Sequence, residues 1–468
     1  MNSTDRNWQE YGRWLEQLRL RRGIPGMALR VFSADEILFE SFPGYRNVEA
    51  GLPVDADTIF GIASVTKSFT ALSVLHAATA GRLDLDDPVT RWLPELTLWR
   101  ERQAPTVRQL LTQTSGLPAL PILVHAMAES GRGDPTEAFD PPLPAEELRP
   151  AGTLEEVIAF LNEDARVEEP GGLFCYQNDA WGLLGGIVSR ASGSGFEDYV
   201  AEHITGPLGL TRTTFDLSRV LADRNATTLY ATDPAGNVME SPKWHDSSAL
   251  AGAGFLRSTA RDLTSYVRFL MKGDGQRIGI DDALLQEMQS PLVWCGPGGS
   301  YGYGLTINED HHGVTLISHG GRLKGISSTI GYSPELGVGA VVLINLEEQP
   351  ADLMWLGAIN TVLGVPVDSP RYAPQPQPVN DEAVAALLGE YRSQEPWGRL
   401  VLQRSADGGL EVLDGEAERR LSAFWVSADE FGIRGEEQDQ YVAVLRDPAD
   451  PFGQPWGLHY GRRILYRR

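Results

Sequence analysis

Between Asp57 and Arg82 the hydrophobic pattern is nearly unbroken, with Ile59, Phe60, Ile62, Phe69, Leu72, Val74 and Leu75 surrounding one formally charged side chain, Lys67. A stretch that is apolar on every side predicts a buried helix, and Gly81 supplies the left-handed residue that commonly follows a helix end. Upstream, charges recur every few residues from Trp8 to Arg22, which predicts an amphipathic opening helix. The runs Met27 to Phe32 and Ile37 to Phe42 predict two strands joined through Ser33-Ala34-Asp35-Glu36 as a hairpin. A mostly helical, loop-rich stretch then extends to about Pro291.

Strand patterns return at Tyr301 to Ile307, Val314 to Ser318, Ser327 to Tyr332 and Val338 to Asn345, the last two joined by the turn Ser333-Pro334-Glu335-Leu336-Gly337. A helix from Ala351 to Leu363 closes the region. Strands at both ends with helices between them predict an α+β unit: one sheet built from the two ends, with a helical subdomain inserted in the middle and a site at their junction. Pro366, Pro370, Pro374, Pro376 and Pro378 then predict an extended, semi-rigid linker. The chain therefore divides into residues 1–365, a linker over 366–380, and a final domain over 381–468. That last part predicts a short helix, Glu382 to Leu388, and β runs at Leu400 to Gln403, Leu410 to Leu413, Tyr441 to Leu445 and Leu458 to Tyr466, with a turn at Ala406-Asp407-Gly408-Gly409. Such a pattern fits a compact β-rich domain, a small barrel.

Composition narrows the partners. At 468 residues, 42% hydrophobic and 22% charged, the chain is that of a globular protein with room for two or three domains. Its formal net charge of -23 opposes binding to nucleic acid or an anionic membrane surface, so the expected partner is a small molecule or short peptide. The opening residues lack the apolar core of a signal peptide, which makes the cytoplasm the expected compartment. The stretch from Thr58 to Gly81 is long enough to span a bilayer, but its Ser, Thr, His and Lys content predicts a buried soluble helix. Cys175 and Cys295 make no disulfide framework and lack metal-site spacing. His311-His312 lies where a hairpin turn is expected, without ligands around it, so no metal and no cofactor are expected.

The chemistry concentrates at three places. Ser64-Val65-Thr66-Lys67 places a hydroxyl one helical turn before a lysine in an apolar setting, and a buried lysine gives up its proton more readily than one in water. The chain has 40 basic residues, of which only Lys67, Lys243, Lys272 and Lys324 are lysines. Even so, four lysines give about a one in four chance of an accidental Ser-x-x-Lys at ordinary serine frequency. Tyr176-Gln177-Asn178 follows Pro170-Gly171-Gly172 and precedes an apolar helix, Ala180 to Val188. Its phenol can move protons as a general base and its amide can orient a lysine. Tyr45-Arg46-Asn47 has the same form but precedes the serine in a surface loop. The third place is His319-Gly320-Gly321, expected at a strand end before Arg322. There the amides of Ser64 and Arg322 are candidate oxyanion donors, the paired glycines admit a substrate close to the backbone, and His319 shapes or polarises that edge.

The order Ser-x-x-Lys, Tyr-x-Asn, His-x-Gly resembles the serine β-lactamase and penicillin-binding-protein superfamily, in particular its class C β-lactamase-like esterases, D-aminopeptidases and DD-peptidases. Leu110-Leu111-Thr112-Gln113-Thr114-Ser115-Gly116-Leu117-Pro118, Pro207-Leu208-Gly209-Leu210 and Tyr301-Gly302-Tyr303-Gly304 support the resemblance, which covers roughly residues 10 to 365. It implies an antiparallel sheet with flanking helices, acylation of Ser64, proton transfer by Lys67 and Tyr176, and a network held by Asn178. His-Gly-Gly stands where lactamases have Lys-Thr-Gly, so the lysine that anchors a substrate carboxylate is absent. That departure shifts the expected substrate toward a small ester, an amide or a D-amino-acid peptide. The alternatives are a β-lactamase, a DD-carboxypeptidase, or a catalytically silent ligand-binding relative. Ala119 to Gly152 looks long for this family and is a candidate lid. The segment opening with Leu388-Gly389-Glu390-Tyr391 resembles the lipocalin-like β domains appended to some members.

Overall fold

The computed structural model describes residues 3–468 apart from 137–142, 144–146, 150, 166, 379–380, 396–397, 407, 416–418, 436 and 451–452. Eight antiparallel strands form the main sheet: β1 (Met27–Ser33), β2 (Ile37–Ser41), β3 (Val293–Gly296), β4 (Gly299–Tyr301), β5 (Thr306–His311), β6 (Val314–Leu323), β7 (Ile326–Ser333) and β8 (Val338–Ile344). Their spatial order is β2-β1-β8-β7-β6-β5-β4-β3, so the first hairpin completes a sheet otherwise made late in the chain. The join is β1 against β8, from Met27 opposite Ile344 to Ser33 opposite Val338.

Both faces of this sheet are covered, which is why β1 and β8 read as continuous apolar runs. Met27, Leu29, Val31, Val342 and Ile344 enter the core shared with the opening helix α1 (Ser3–Arg21) and the helix Ala351–Leu363. The alternate residues Ala28, Phe32, Val341 and Leu343 enter the core of the helical side. That core surrounds α2 (Thr66–Thr79), which carries Lys67, and α3 (Asp179–Ser192), which follows the Tyr-x-Asn motif. Gly81, with φ of 67°, follows α2 as expected. Tyr11 locks α1 to the far helix by donating its hydroxyl to the Met354 carbonyl at 2.7 Å.

Two sequence expectations change here. Tyr301 to Ile307 is two strands with a tight turn between them, closed by the Gly302 amide on the Leu305 carbonyl at 2.9 Å. Gly304 in that turn has φ of 71°, and a Cβ there would sit 2.9 Å from the Lys67 carbonyl, so the glycine lets the turn press onto α2. The strand expected to stop at Ser318 continues to Leu323, because Gly320 and Gly321 pair with Thr329 and Ser328 of β7. His319-Gly320-Gly321 is therefore inside a strand.

The C-terminal strands form a closed antiparallel barrel: β9 (Gly389–Arg392), β10 (Arg399–Arg404), β11 (Leu410–Asp414), β12 (Arg419–Ser427), β13 (Glu430–Ile433), β14 (Gln440–Leu445), β15 (Gly457–Tyr460) and β16 (Arg463–Arg467). Tyr391 opposite Arg467 shuts the ring. The run Leu458 to Tyr466 is thus a hairpin with Gly461-Arg462 at its tip. The barrel meets the rest of the chain through an apolar cluster of Ala119, Cys175, Leu445 and Ile464. The proline-rich stretch carries no regular structure where described, and Arg371 within it bonds Asn308 at 2.9 Å, Ser318 at 3.0 Å and Asp352 at 2.5 Å. No helix among the described residues is long and apolar enough to cross a membrane.

Candidate active site

Ser64 occupies a single 3-10 turn, Ala63–Val65, that runs directly into α2. Ala63 is left-handed with φ of 45°, a conformation costly for a residue with a Cβ, and it presents the serine at the mouth of the turn. Strand β7 holds the approach: the Ser328 hydroxyl donates to the Ile62 carbonyl at 2.8 Å. Strand β6 touches it as well. A Cβ on Gly321 would lie 2.3 Å from the Ile62 oxygen and 3.0 Å from the Ser64 nitrogen, so only glycine fits beside the nucleophile's amide. Arg322 follows on the same strand with its side chain in water, 3.5 Å from Glu348.

Lys67 is fully buried, and its Nζ lies 2.9 Å from Ser64 Oγ, 2.8 Å from Asn178 Oδ1 and 2.7 Å from the Ala253 carbonyl. A neutral amine has two protons and one lone pair. In that form the carbonyl oxygens of Asn178 and Ala253 would take the two protons and leave the lone pair for the serine hydroxyl, whereas the ammonium form donates to all three. Burial pushes the Lys67 pKa below its ordinary value, and Arg463 adds to this. The Tyr176 phenol and Asp179 oppose the shift without reversing it.

Tyr176 closes the triangle, its ring centroid 5.0 Å from Lys67 Nζ and its side chain lining the same cavity as Ser64. Burial alone would raise its pKa. The positive charges of Lys67 and Arg462 and the polar side chains of Ser64 and Lys67 beside it outweigh burial and hold it below the ordinary phenol value. Lys67 and Tyr176 thus share protons as a pair beside the serine. The segment is held by Gln113, itself left-handed with φ of 61°: its carbonyl accepts from the Cys175 amide at 3.0 Å and its side chain from the Gln177 amide at 3.1 Å.

His319 is buried. Its Nδ1 donates to the Gly320 carbonyl at 2.6 Å and its Nε2 faces the Tyr301 hydroxyl at 3.2 Å. Burial first, then the charges of Lys67 and Arg462, push its pKa down to about 3. The imidazole is therefore neutral with a fixed tautomer, its two nitrogens both engaged by the protein. It shapes the cleft floor and has no proton to exchange near neutral pH.

Ser64, Tyr176, Asn178, His319, Gly320, Gly321 and Arg322 line one cavity of about 740 Å³. Leu120, Pro121, Leu123 and Val124 join them from the start of the helix Ile122–Gly131. Much of the rest of the candidate lid lies outside the described residues. The cavity also contains residues the sequence reading missed: Ala253, Arg462 and Arg463. The Arg463 guanidinium lies 5.2 Å from the Tyr176 ring and bonds Glu395 at 2.9 Å. Only resolving Leu458 to Tyr466 into a hairpin, through Gly461, could have flagged those arginines. Tyr45-Arg46-Asn47 serves elsewhere, where Arg46 bonds the carbonyls of Pro53 and Arg224. His311 bonds Asn360 Oδ1 at 2.7 Å, and the described residues contain no cluster of three or more ligands able to hold a metal.

The comparisons agree with this geometry. The chain is similar to Protein flp of Staphylococcus aureus (strain MW2), 25% identical over 80% of this chain and 68% of the relative. Among solved structures it is similar to the octameric penicillin-binding protein homologue from Pyrococcus abyssi, with 26% identity, TM-score 0.70, and 98% and 99% of the two chains covered. It is also similar to a D-stereospecific amidohydrolase from Streptomyces sp., with 25% identity, TM-score 0.60, and 75% and 97% covered. The family model described as Beta-lactamase matches residues 11–361, three quarters of the sequence. The chain belongs to the β-lactamase family, and with it to the serine hydrolases in the general sense.

Proposed function

We propose that this protein hydrolyses a small ester, amide or D-amino-acid-containing peptide through an acyl-enzyme on Ser64. The observation that carries the reading is the 2.9 Å contact between Lys67 Nζ and Ser64 Oγ, with the same nitrogen also held by the Asn178 and Ala253 carbonyl oxygens. In acylation the Ser64 oxygen attacks the substrate carbonyl while its proton passes to the Lys67–Tyr176 pair. The amides of Ser64 and Arg322 receive the developing oxyanion. The pair returns the proton to the departing alcohol or amine, the carbonyl–leaving-group bond breaks, and a water activated by the same pair then releases the acid. Asn178 orients the lysine, and His319 fixes the edge of the cleft.

Support for the amide side of this reading comes from the Streptomyces amidohydrolase with the shared fold. The third motif itself contributes no cation to the cleft, because His319 is neutral where the motif's lysine would stand. A parallel assay with nitrocefin, a p-nitrophenyl ester and D-alanine p-nitroanilide tests it. The expected result is turnover of the ester or anilide that Ser64→Ala lowers by about 10³-fold or more. Fast nitrocefin hydrolysis would overturn the substrate assignment, and turnover insensitive to Ser64→Ala would overturn the mechanism.

A further inference from the structure

The tip of the β15–β16 hairpin lines the cleft that holds the candidate nucleophile. Gly461 and Arg462 form its two-residue loop, with φ of 55° and 65°. Such loops need left-handed conformation at both positions and favour glycine or asparagine, so an arginine at the second carries a conformational cost with no benefit to the turn itself. The hairpin is fixed against the catalytic residues rather than resting on the surface. The Tyr176 amide donates to the Arg462 carbonyl at 2.8 Å. His459 Nε2 meets the Phe174 carbonyl at 3.1 Å, and the same ring packs on Gly296 of β3.

Four arginines line the cavity: Arg322, Arg371, Arg462 and Arg463. Three have carboxylates: Arg322 with Glu348, Arg371 with Asp352, Arg463 with Glu395. Arg462 has no carboxylate within ion-pair distance among the described residues. A guanidinium presented to a cleft and unneutralised by its own protein suits a planar anion bound through two parallel N–H donors. The backbone of Arg462 is bonded to Tyr176, and the residue shares the cavity lining with His319, whose motif lacks a cation; its charge lowers the pKa of both.

We infer that Arg462, delivered by the barrel, anchors a free carboxylate on the substrate's leaving group, so that the preferred substrates are peptides or amides ending in a C-terminal amino acid. The inference rests on the acyl-enzyme reading of Ser64. Arg462 is on this account a specificity residue, and the barrel is a structural part of the substrate site.

The test compares an N-acetylated D-alanyl-D-alanine with its C-terminal amide, in the full-length protein and in two variants. Arg462→Gly keeps the residue type that the loop favours while removing the cation, and Arg462→Lys keeps a cation without the planar fork. The wild type should prefer the free carboxylate by about 10²-fold in kcat/KM, in line with a charge-assisted pair. In Arg462→Gly that ratio should collapse toward one, with the loss carried by KM. Arg462→Lys should recover part of it. A ratio that survives in Arg462→Gly, or a wild type indifferent to the carboxylate, overturns the inference. Fluorophosphonate labelling of Ser64 in the same preparations separates the two levels: labelling with an unchanged ratio condemns only the Arg462 assignment, and failed labelling condemns the acyl-enzyme beneath it.

Discussion

The backbone amide of Tyr176 donates to the carbonyl of Arg462 across 2.8 Å, joining the segment that carries the phenol to the last hairpin of the barrel. The two residues are far apart in sequence, and the bond makes the barrel a wall of the cleft. The position of Tyr176 is thus set from both sides, by Gln113 on the helical side and by the hairpin on the other.

Lys67→Met should remove activity while retaining bulk. The variant is expected to lose about 10³-fold or more in kcat/KM, as for other members of a nucleophile–base unit. Wild-type kcat/KM should rise with pH along a limb below the ordinary lysine range, because the lowered pKa of Lys67 makes the neutral amine available there, and the limb belongs to the Lys67–Tyr176 pair. Lys67→Met should lack that limb. A pH–rate profile of both proteins checks this.

Gly321→Ala should damage catalysis more than folding. Its Cβ would meet the Ile62 carbonyl at 2.3 Å and the Ser328 hydroxyl at 2.5 Å, displacing the turn that carries Ser64. Overpacking of this kind costs roughly 1–3 kcal/mol of stability. A misplacement of a catalytic group by about 1 Å costs about 10²-fold in rate. Urea unfolding and kcat measured on one preparation separate the two effects.

Buried neutral histidines set an acid limit on stability. His319 and His459 have pKa values pushed down by burial to about 3 and about 4. The unfolded chain takes up protons at these groups below its histidine pKa while the native state does not, so stability falls as pH drops from about 6.5 toward those values, by roughly 1.4 kcal/mol per pH unit for each. His459→Gln should flatten the slope of unfolding free energy against pH between about 6 and 4. An unchanged slope would mean that His459 is not buried in the neutral form.

Asp134 holds the described start of the candidate lid onto the body of the protein. Its carboxylate pairs with Lys324 at 3.1 Å and accepts from Thr136, Ser241 and the Lys243 amide. Those bonds and Lys324 outweigh burial and depress its pKa. Asp134→Ala removes the carboxylate that Lys324, Thr136, Ser241 and the Lys243 amide all bond, and should cost about 1–3 kcal/mol, measured by chemical denaturation.

Local pattern carried much of the catalytic half. The continuous apolar runs at β1 and β8 follow from a sheet covered on both faces, and Ser64, Lys67, Tyr176 and Asn178 were legible because each belongs to a short motif, and the fold brings Ser64 and Asn178 into hydrogen bonds with Lys67 and the Tyr176 ring beside it. Less was legible in the barrel. Strand β12 begins with exposed Arg419 and Arg420 and buries only Trp425 fully, so its alternation is weak. His319 was placed at a strand end because glycines suggest a break, yet pairing with β7 carries the strand through them. Arg462 left no local signal of function, since only the closure of the barrel and its docking bring the hairpin tip to Tyr176.

The central claim is that Ser64 becomes covalently acylated, and intact-protein mass spectrometry with peptide mapping after fluorophosphonate treatment tests it most directly. The account predicts one adduct, mapped to Ser64, absent in Ser64→Ala and strongly slowed in Lys67→Met. An unmodified Ser64 in a protein that still turns over substrate would contradict it.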